Sequence, residues 1–560
     1  MAQHRARLSA AAESDGGRGR GAGPGIRVAL AAVPLAFLTV FFVYPVLAII
    51  GRGLAPGWRV DLGPFGDVVT DGYLRHVVWF TIWQAALSTV LTLAIGIPGA
   101  YVLSRYRFRG RAVVRALVTV PFVLPTIVVG SAFASLLGPG GPLAGLGLDQ
   151  SLGAILVAHV FFNYAVVVRT VGGLWSHLDP RQEEAARMLG ASRLRAFREV
   201  TLPALRPAIT AAAAIVFLFT FTSFGVILVL GGPRFNTLET EIYRQTAQLL
   251  HLPLAATLTV VQLVAITALL LVTARIEGRH HAALRLRASA ETAIRPRTTG
   301  ARLLLAANLL VMAVLLGGPV LVLVERSFHP PGGYGLGFYR ALDSLHASSA
   351  LFVSPVEAIG NSLRFAAIAT LIAVVVGGCG AFALAARRNR GLDTALSLPL
   401  GVSAVTVGFG FLIALDHPPV DLRSSPMLVP IAQALVAIPF VVRTVTPVLR
   451  AIDPRLREAA AMLGASPARA WREVDVPIAA RALLVAAGFA FAISLGEFGA
   501  TIFIVRPDHP TLPVEIYRLL GQPGPLNFGA AMAASVILMA LTALAILTIE
   551  RLRVGDVGTF

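Results

Sequence analysis

Apolar runs of about 20 residues recur along this chain, a length that crosses a hydrocarbon core as a helix. Residues 28–50, 152–175, 211–230, 303–324 and 528–548 are the cleanest of them. A membrane core holds no water to receive backbone N–H and C=O groups, so each run must satisfy its own, and a helix does so. Weaker runs broken by Gly and Pro fill the gaps and bring the expected number of spans to about twelve. Composition agrees: 56% of residues are hydrophobic and 14% charged, against about 45–50% and about 25% in soluble domains. The expected fold class is an all-α integral membrane protein.

A net charge of +18 would on its own admit nucleic acid as a partner. The placement of the charge points to a bilayer instead. All 47 Lys or Arg residues are arginine. They gather in the N-terminal tail (Arg5, Arg7, Arg18, Arg20, Arg27), the turn 105–111 and the mid-chain segment 275–302. Loops such as 53–70 and 231–253 carry few. This is the positive-inside bias, and it predicts cytoplasmic N- and C-termini, with lipid and no nucleic acid as the surroundings. The first apolar run follows arginines but exceeds signal-peptide length and lacks a small-residue cleavage site, so it reads as a retained span.

Several chemistries fall away. A chain without lysine cannot build a P-loop, whose Lys reaches the β/γ-phosphates, nor a Schiff base. No Ser-His-Asp or HExxH pattern appears, so no catalytic residue, cofactor or metal site is expected. His280-His281 has no further ligands nearby in the sequence. The lone Cys379 sits among glycines and reads as a small buried residue. Gly138-Pro139-Gly140-Gly141 follows no strand and reads as a turn.

The chain also repeats itself. Glu184-Ala185-Ala186, Gly190 and Pro203 return 274 residues later as Glu458-Ala459-Ala460, Gly464 and Pro477. Val168-Arg169-Thr170-Val171 returns as Val442-Arg443-Thr444-Val445, Asp179-Pro180 as Asp453-Pro454, and Glu241-Ile242-Tyr243-Arg244 as Glu515-Ile516-Tyr517-Arg518. Each repeat holds about six spans, an even number, which makes the repeats parallel about an axis along the membrane normal. The expected organisation is a cytoplasmic tail at 1–27, a first half at 28–275, a cytoplasmic linker at 276–301, a second half at 302–549 and a tail at 550–560. Within the halves, loops 176–205 and 450–479 carry the duplicated signature. Each reads as a short helix that starts at Asp-Pro and stops at a left-handed glycine. A second short helix follows, capped by Ser192 or Ser466 and running to Pro203 or Pro477.

The signature, spaced identically in both copies, resembles the loop by which ABC importer permeases dock onto their ATPase. The resemblance implies a type I importer permease fold with two parallel six-helix repeats, in a bacterial plasma (inner) membrane. It implies two ATPase subunits and an extracytoplasmic substrate-binding protein as partners, with ATP hydrolysis outside this chain. It places the docking residues at Glu184, Ala185, Ala186, Gly190, Glu458, Ala459, Ala460 and Gly464. The glutamates would pair with a basic group on the ATPase. Both halves in one chain resemble the thiamine and ferric-iron branch, and the local runs Tyr73–Val78 and Ala158–Asn163 are similar to the thiamine type. Intact signatures in both halves look more like the iron type.

Polar groups inside spans are candidates for the pathway. His159 and Asn163 lie four apart on one helix face, suited to substrate or to an interhelical hydrogen bond. Glu497 has Ser223 as its repeat partner. A carboxylate there suits a cationic cargo such as a thiazolium, an ion pair with Arg443, or a place at the water boundary. Arg169 and Arg443 lie near cytoplasmic ends of spans and read as snorkelling side chains. The competing class is an ion-coupled secondary transporter, which needs no duplicated docking loop.

Overall fold

The computed structural model describes residues 24–55, 61–277, 292–344, 352–386, 389–417 and 420–552. Most of the tail 1–27, the middle of the linker 276–301 with His280-His281, and most of the tail 550–560 lie outside the described residues. Among the described residues, ten helices are long and apolar enough to span a membrane. The first five are Val28–Leu54, Gly72–Arg105, Leu152–His177, Arg193–Phe221 and Leu252–Thr273. The second five are Thr299–Ser327, Pro355–Ala386, Leu428–Arg450, Pro467–Gly496 and Pro525–Ile549. Two bent pairs complete the set: Arg111–Val123 with Thr126–Leu137, at 102°, and Arg390–Gly401 with Ala404–Ala414, at 96°. Among the described residues the paired strands are Asp416–His417 and Val420–Asp421, and Tyr106 and Ile294 form an isolated bridge.

The bends have local causes. Leu124 precedes a proline and is extended, at ψ 136°, because the proline ring disfavours helical geometry in the residue before it. In the second pair the chain passes Pro399 and restarts at Ser403, whose hydroxyl accepts the N–H of Thr406 at 3.1 Å.

Hydrogen bonds decide whether the bent pairs cross. Arg105, at the end of its helix, donates to the Leu178 carbonyl at 3.3 Å, so helices Gly72–Arg105 and Leu152–His177 end at the same face of the bundle. Arg450 donates to the Leu384 carbonyl at 3.3 Å, which says the same of the second half. The chain can satisfy both only if each bent pair carries it across, giving six passes per half. Backbone bonds Arg107 to Ile294 at 2.9 Å and Ile294 to Arg105 at 2.8 Å bring the end of the linker to this face too. Both signature loops therefore emerge at one end of the bundle.

The halves interlock. In the first, Gly72–Arg105 packs on Leu152–His177 and on Leu202–Phe221, and in the second Pro355–Ala386 packs on Leu428–Arg450 and Val476–Gly496. The first helix of each half keeps contact with its own bundle, Tyr44–Leu54 with Leu252–Glu277 and Gly318–Ser327 with Pro525–Leu552, and also reaches into the other. Pro24–Leu38 lies against Pro355–Ala386, and Tyr44–Leu54 against Ala404–Ala414. Reciprocally, Gly318–Ser327 lies against Thr126–Leu137. Leu38 and Phe42 accordingly join the second half's buried cluster, while Met312 and Leu316 join the first half's. Arg326 fixes the crossing by donating to the Ser135 carbonyl at 2.9 Å.

Two expectations change. The apolar run 211–230 is not one helix, because it breaks at 222–224 before Gly225–Leu230. The run around Glu497 breaks likewise after Gly496. A Cβ on Gly225 would sit 2.5 Å from the Thr126 hydroxyl and 3.2 Å from the Phe498 ring, so close tertiary packing places the break. Cys379 is half-buried rather than buried.

Candidate functional site

The signature loops are built almost identically. Helix Arg181–Met188 starts where Asp179 accepts the Arg181 N–H at 3.1 Å. Helix Pro454–Met462 starts where Asp453 accepts that of Arg455 at 3.0 Å. Each stops at a left-handed glycine, Gly190 at φ 92° and Gly464 at φ 81°. The next residue bonds back to close the turn, Ala191 to Ala186 at 3.1 Å and Ala465 to Ala460 at 3.0 Å. Ser192 and Ser466 then cap the following helices, each at 3.3 Å.

Those following helices are not short. They run through the prolines and become the spans Arg193–Phe221 and Pro467–Gly496. A widened π turn at Phe197–Thr201 and at Trp471–Asp475 immediately precedes Pro203 and Pro477. The α segment restarts with the proline in its first turn, where a missing N–H costs no bond.

Glu184 and Glu458 are exposed and have no hydrogen-bond or ion-pair partner among the described residues, while Ala185 and Ala459 are exposed and Ala186 and Ala460 half-buried. The tips are apolar: Met188 and Leu189 are 88% and 90% exposed, and Met462 and Leu463 89% and 88%. Side chains this bare, in two matched places, form a surface suited to cover by another molecule. One fastening differs. Thr201 donates to Glu183 at 2.9 Å in the first loop, whereas Arg457 pairs with buried Asp475 at 2.7 Å in the second.

Between the halves lies a cavity of about 1330 Å³. Its lining includes exposed Arg115 and Arg169 and then Ser176 and His177, next to the first signature loop, and reaches Phe224 and Phe498. His159, Asn163, Ser223 and Glu497 all line it. The His159 ring bridges Ser88 and Ser223, at 2.9 Å each, which holds the broken segment 222–224 to the cavity wall. Asn163 donates to the His159 carbonyl at 3.0 Å. Its Oδ1 is buried without a partner among the described residues, an acceptor available to cargo or water.

Glu497 does not pair with Arg443. Its carboxylate accepts the N–H of Ala500 at 2.7 Å and of Thr501 at 3.0 Å and the Thr501 hydroxyl, so it caps the helix that restarts after the break. Arg443 donates to Ser397 at 2.9 Å. Arg169 stands eight residues before its helix ends and lines the cavity.

Sequence reasoning missed Glu239. This fully buried carboxylate accepts from Gln262 at 2.5 Å and, across the two halves, from Ser403 at 3.1 Å. Its repeat partner is Pro513, so the duplication gave no signal for it. No group of three or more His, Cys, Asp or Glu among the described residues gathers to hold a metal ion.

Residues 93–281 match the family model described as binding-protein-dependent transport system inner membrane component. The thiamine transport system permease protein ThiP of Brucella abortus (strain 2308) is 30% identical over 497 residues, 85% of this chain and 88% of that one. ThiP of Escherichia coli (strain K12) is 29% identical over 534 residues, 90% and 94% of the two chains. A probable ABC transporter permease of Sinorhizobium fredii is 25% identical over 553 residues, 94% and 96% of the two chains. A solved bacterial ABC transporter that imports alginate superposes with a TM-score of 0.39 at 17% identity, covering 44% of this chain and 93% of that one. The chain belongs to the ABC importer permeases of the two-half type. It is a multi-pass membrane transport subunit rather than an enzyme.

Proposed function

We propose that this chain is the channel-forming subunit of an ATP-driven importer whose cargo is thiamine-like. The observation that carries the reading is the pair of matched loops, 176–205 and 450–479, presented at one end of the bundle beside the loop-side lining of the cavity. Two separate ATPase subunits would dock there. Glu184 and Glu458 would each meet a basic group, Ala185-Ala186 and Ala459-Ala460 would let the partner approach the backbone, and Gly190 and Gly464 would keep the turns. The arginine-rich loops make this end cytoplasmic. Halves 28–275 and 302–549 would then rock about their shared axis as the ATPases close, exposing the cavity first to an extracytoplasmic binding protein and then to the cytoplasm.

For the cargo, the support is the similarity to permeases named for thiamine over 85–90% of the chain, together with the cavity's own chemistry. The volume exceeds the roughly 300–1,000 Å³ of small-molecule sites. Aromatic rings (Phe162, Phe219, Phe224, Phe440, Phe489, Phe498) offer faces to a cationic heterocycle. The unpartnered Asn163 Oδ1 offers an acceptor beside His159, Ser223 and Glu497.

ATPase activity and uptake by the purified complex in liposomes, with its ATPase and binding protein, tests both levels. Thiamine alone should stimulate turnover. Stimulation by ferric iron and not thiamine would overturn the cargo, and failure of any ATPase to associate would return the ion-coupled alternative. Replacing Glu184 and Glu458 together by alanine should lower coupled transport at least tenfold, about 1.4 kcal/mol or more, with insertion unchanged. Wild-type uptake by that variant would refute the docking assignment.

A further inference from the structure

On the side away from the loops, the cavity ends against rings supplied by both halves. Phe224 and Phe498 stack across the boundary, with centroids 5.5 Å apart and planes at 24°. Behind them stand Tyr243, 5.6 Å from Phe224, and Tyr517, 5.7 Å from Phe498. Phe503 closes the group 5.5 Å from Tyr243. Phe224 and Phe498 are repeat partners, as are Tyr243 and Tyr517.

The duplicated Glu-Ile-Tyr-Arg acquires a purpose here. Its glutamate is fully buried and pairs with the arginine one turn on, Glu241 with Arg244 at 3.0 Å and Glu515 with Arg518 at 3.3 Å. Glu241 is further held by Tyr73 at 2.7 Å and Gln245 at 2.6 Å. These pairs fix the short helices Leu238–Tyr243 and Leu512–Leu520 and so aim the intervening tyrosines at the boundary. They also neutralise the arginines, which would otherwise repel a cation. Phe224 and Phe498 sit where their helices are broken, and irregular backbone at membrane depth is tolerated where it lines a cavity.

We infer that Phe224 and Phe498 form a stacking site for a flat, positively charged heteroaromatic ring, with Tyr243, Tyr517 and Phe503 as its backing. This rests on the thiamine-like reading and specifies which part of the cargo is recognised. When the halves part on the far side, the two phenylalanines separate because each belongs to a different half. A ring inserted between them needs two contacts of about 3.5–4.0 Å, so a parting of roughly 2 Å beyond the resting separation suffices. The cation is then held by two ring faces, next to the Glu497 carboxylate. Closure restores the Phe–Phe stack and expels the ring into the cavity, toward Asn163. A saturated cation of equal charge lacks the plane and gains only part of this attraction.

The test uses the full complex with its ATPase and binding protein. Phe224→Leu and Phe498→Leu should each raise the KM for thiamine at least tenfold with kcat reduced less, and Phe→Tyr at either position should restore it. An unchanged KM in the leucine variants, even with increased passive leak, would reduce the pair to a plug and overturn the site. A second measurement does not depend on thiamine being the cargo or on the leucine variants folding. In F224W, 1-methylpyridinium should quench the added fluorescence saturably and beyond its effect on the wild type, and 1,1-dimethylpiperidinium, which does not itself quench indole, should relieve that quenching only at concentrations at least tenfold higher. Relief at equal concentration, or quenching no stronger than in the wild type, refutes the site. Selective quenching alongside a wild-type protein that ignores thiamine keeps the site and discards the cargo.

Discussion

Gly190 and Gly464 isolate a single backbone requirement. Both have φ near 90° and open space within 4 Å of a Cβ position, so an alanine there meets no atom and suffers only left-handed strain. That strain is about 1–2 kcal/mol. Gly190→Ala and Gly464→Ala should each weaken capture of the ATPase subunit about five- to thirtyfold in a binding assay, and Asn should recover part of the loss. Binding unchanged in both alanine variants would detach the turn geometry from docking. Such positions were legible because a glycine after an Ala-Glu-Arg-Met-Leu run has one common use. Glu497 was legible only as a charge inside an apolar run. Which partner it takes depends on where the helix breaks, and an arginine elsewhere in the sequence suggests a pairing that the fold does not make.

Between the signature helix and its span, the two halves solve one problem with different chemistry. Positions 183 and 201 join through a neutral donor and a carboxylate, and their counterparts 457 and 475 through an ion pair whose Asp475 is 4% exposed. Removing one partner of a buried pair leaves a charge stranded, at a cost of about 3–5 kcal/mol. Arg457 is partly exposed, which places Arg457→Ala near the lower end, about 3 kcal/mol. Glu183→Gln keeps an acceptor for Thr201 and should cost under about 1 kcal/mol. Thermal unfolding of the two variants side by side checks the contrast, and equal losses would contradict it. The short signature helices were readable from caps and composition. The breaks at 222–224 and after Gly496 were not, because both lie within hydrophobic stretches and are set by the approach of Thr126, Phe498 and Pro125. The helices continuing through Pro203 and Pro477 were equally hidden, since a π turn leaves no simple mark in the sequence.

For the molecule as a unit, the exchange of first helices makes the linker dispensable as a tether. Co-expressed polypeptides 1–297 and 298–560 should co-purify and transport, whereas either alone should be degraded or aggregate. A monodisperse single half would show that the exchange matters little. The parallel repeat and the number of passes could be anticipated from the 274-residue offset and the apolar runs. The exchange could not, because an apolar helix carries no label for the bundle it joins. The same crossing bears on biosynthesis. The first helix ends at Leu54, but the helix it leans on begins at Pro355. At about 5–20 residues per second, some 300 residues of further synthesis separate the two, a delay of roughly 15–60 s. Throughout that interval the face of Pro24–Leu38 that Pro355–Ala386 will cover stands in lipid. A ribosome that stalls anywhere in the first half therefore releases a chain that no amount of waiting can complete, and membrane quality control is given a long, fixed window in which to recognise it.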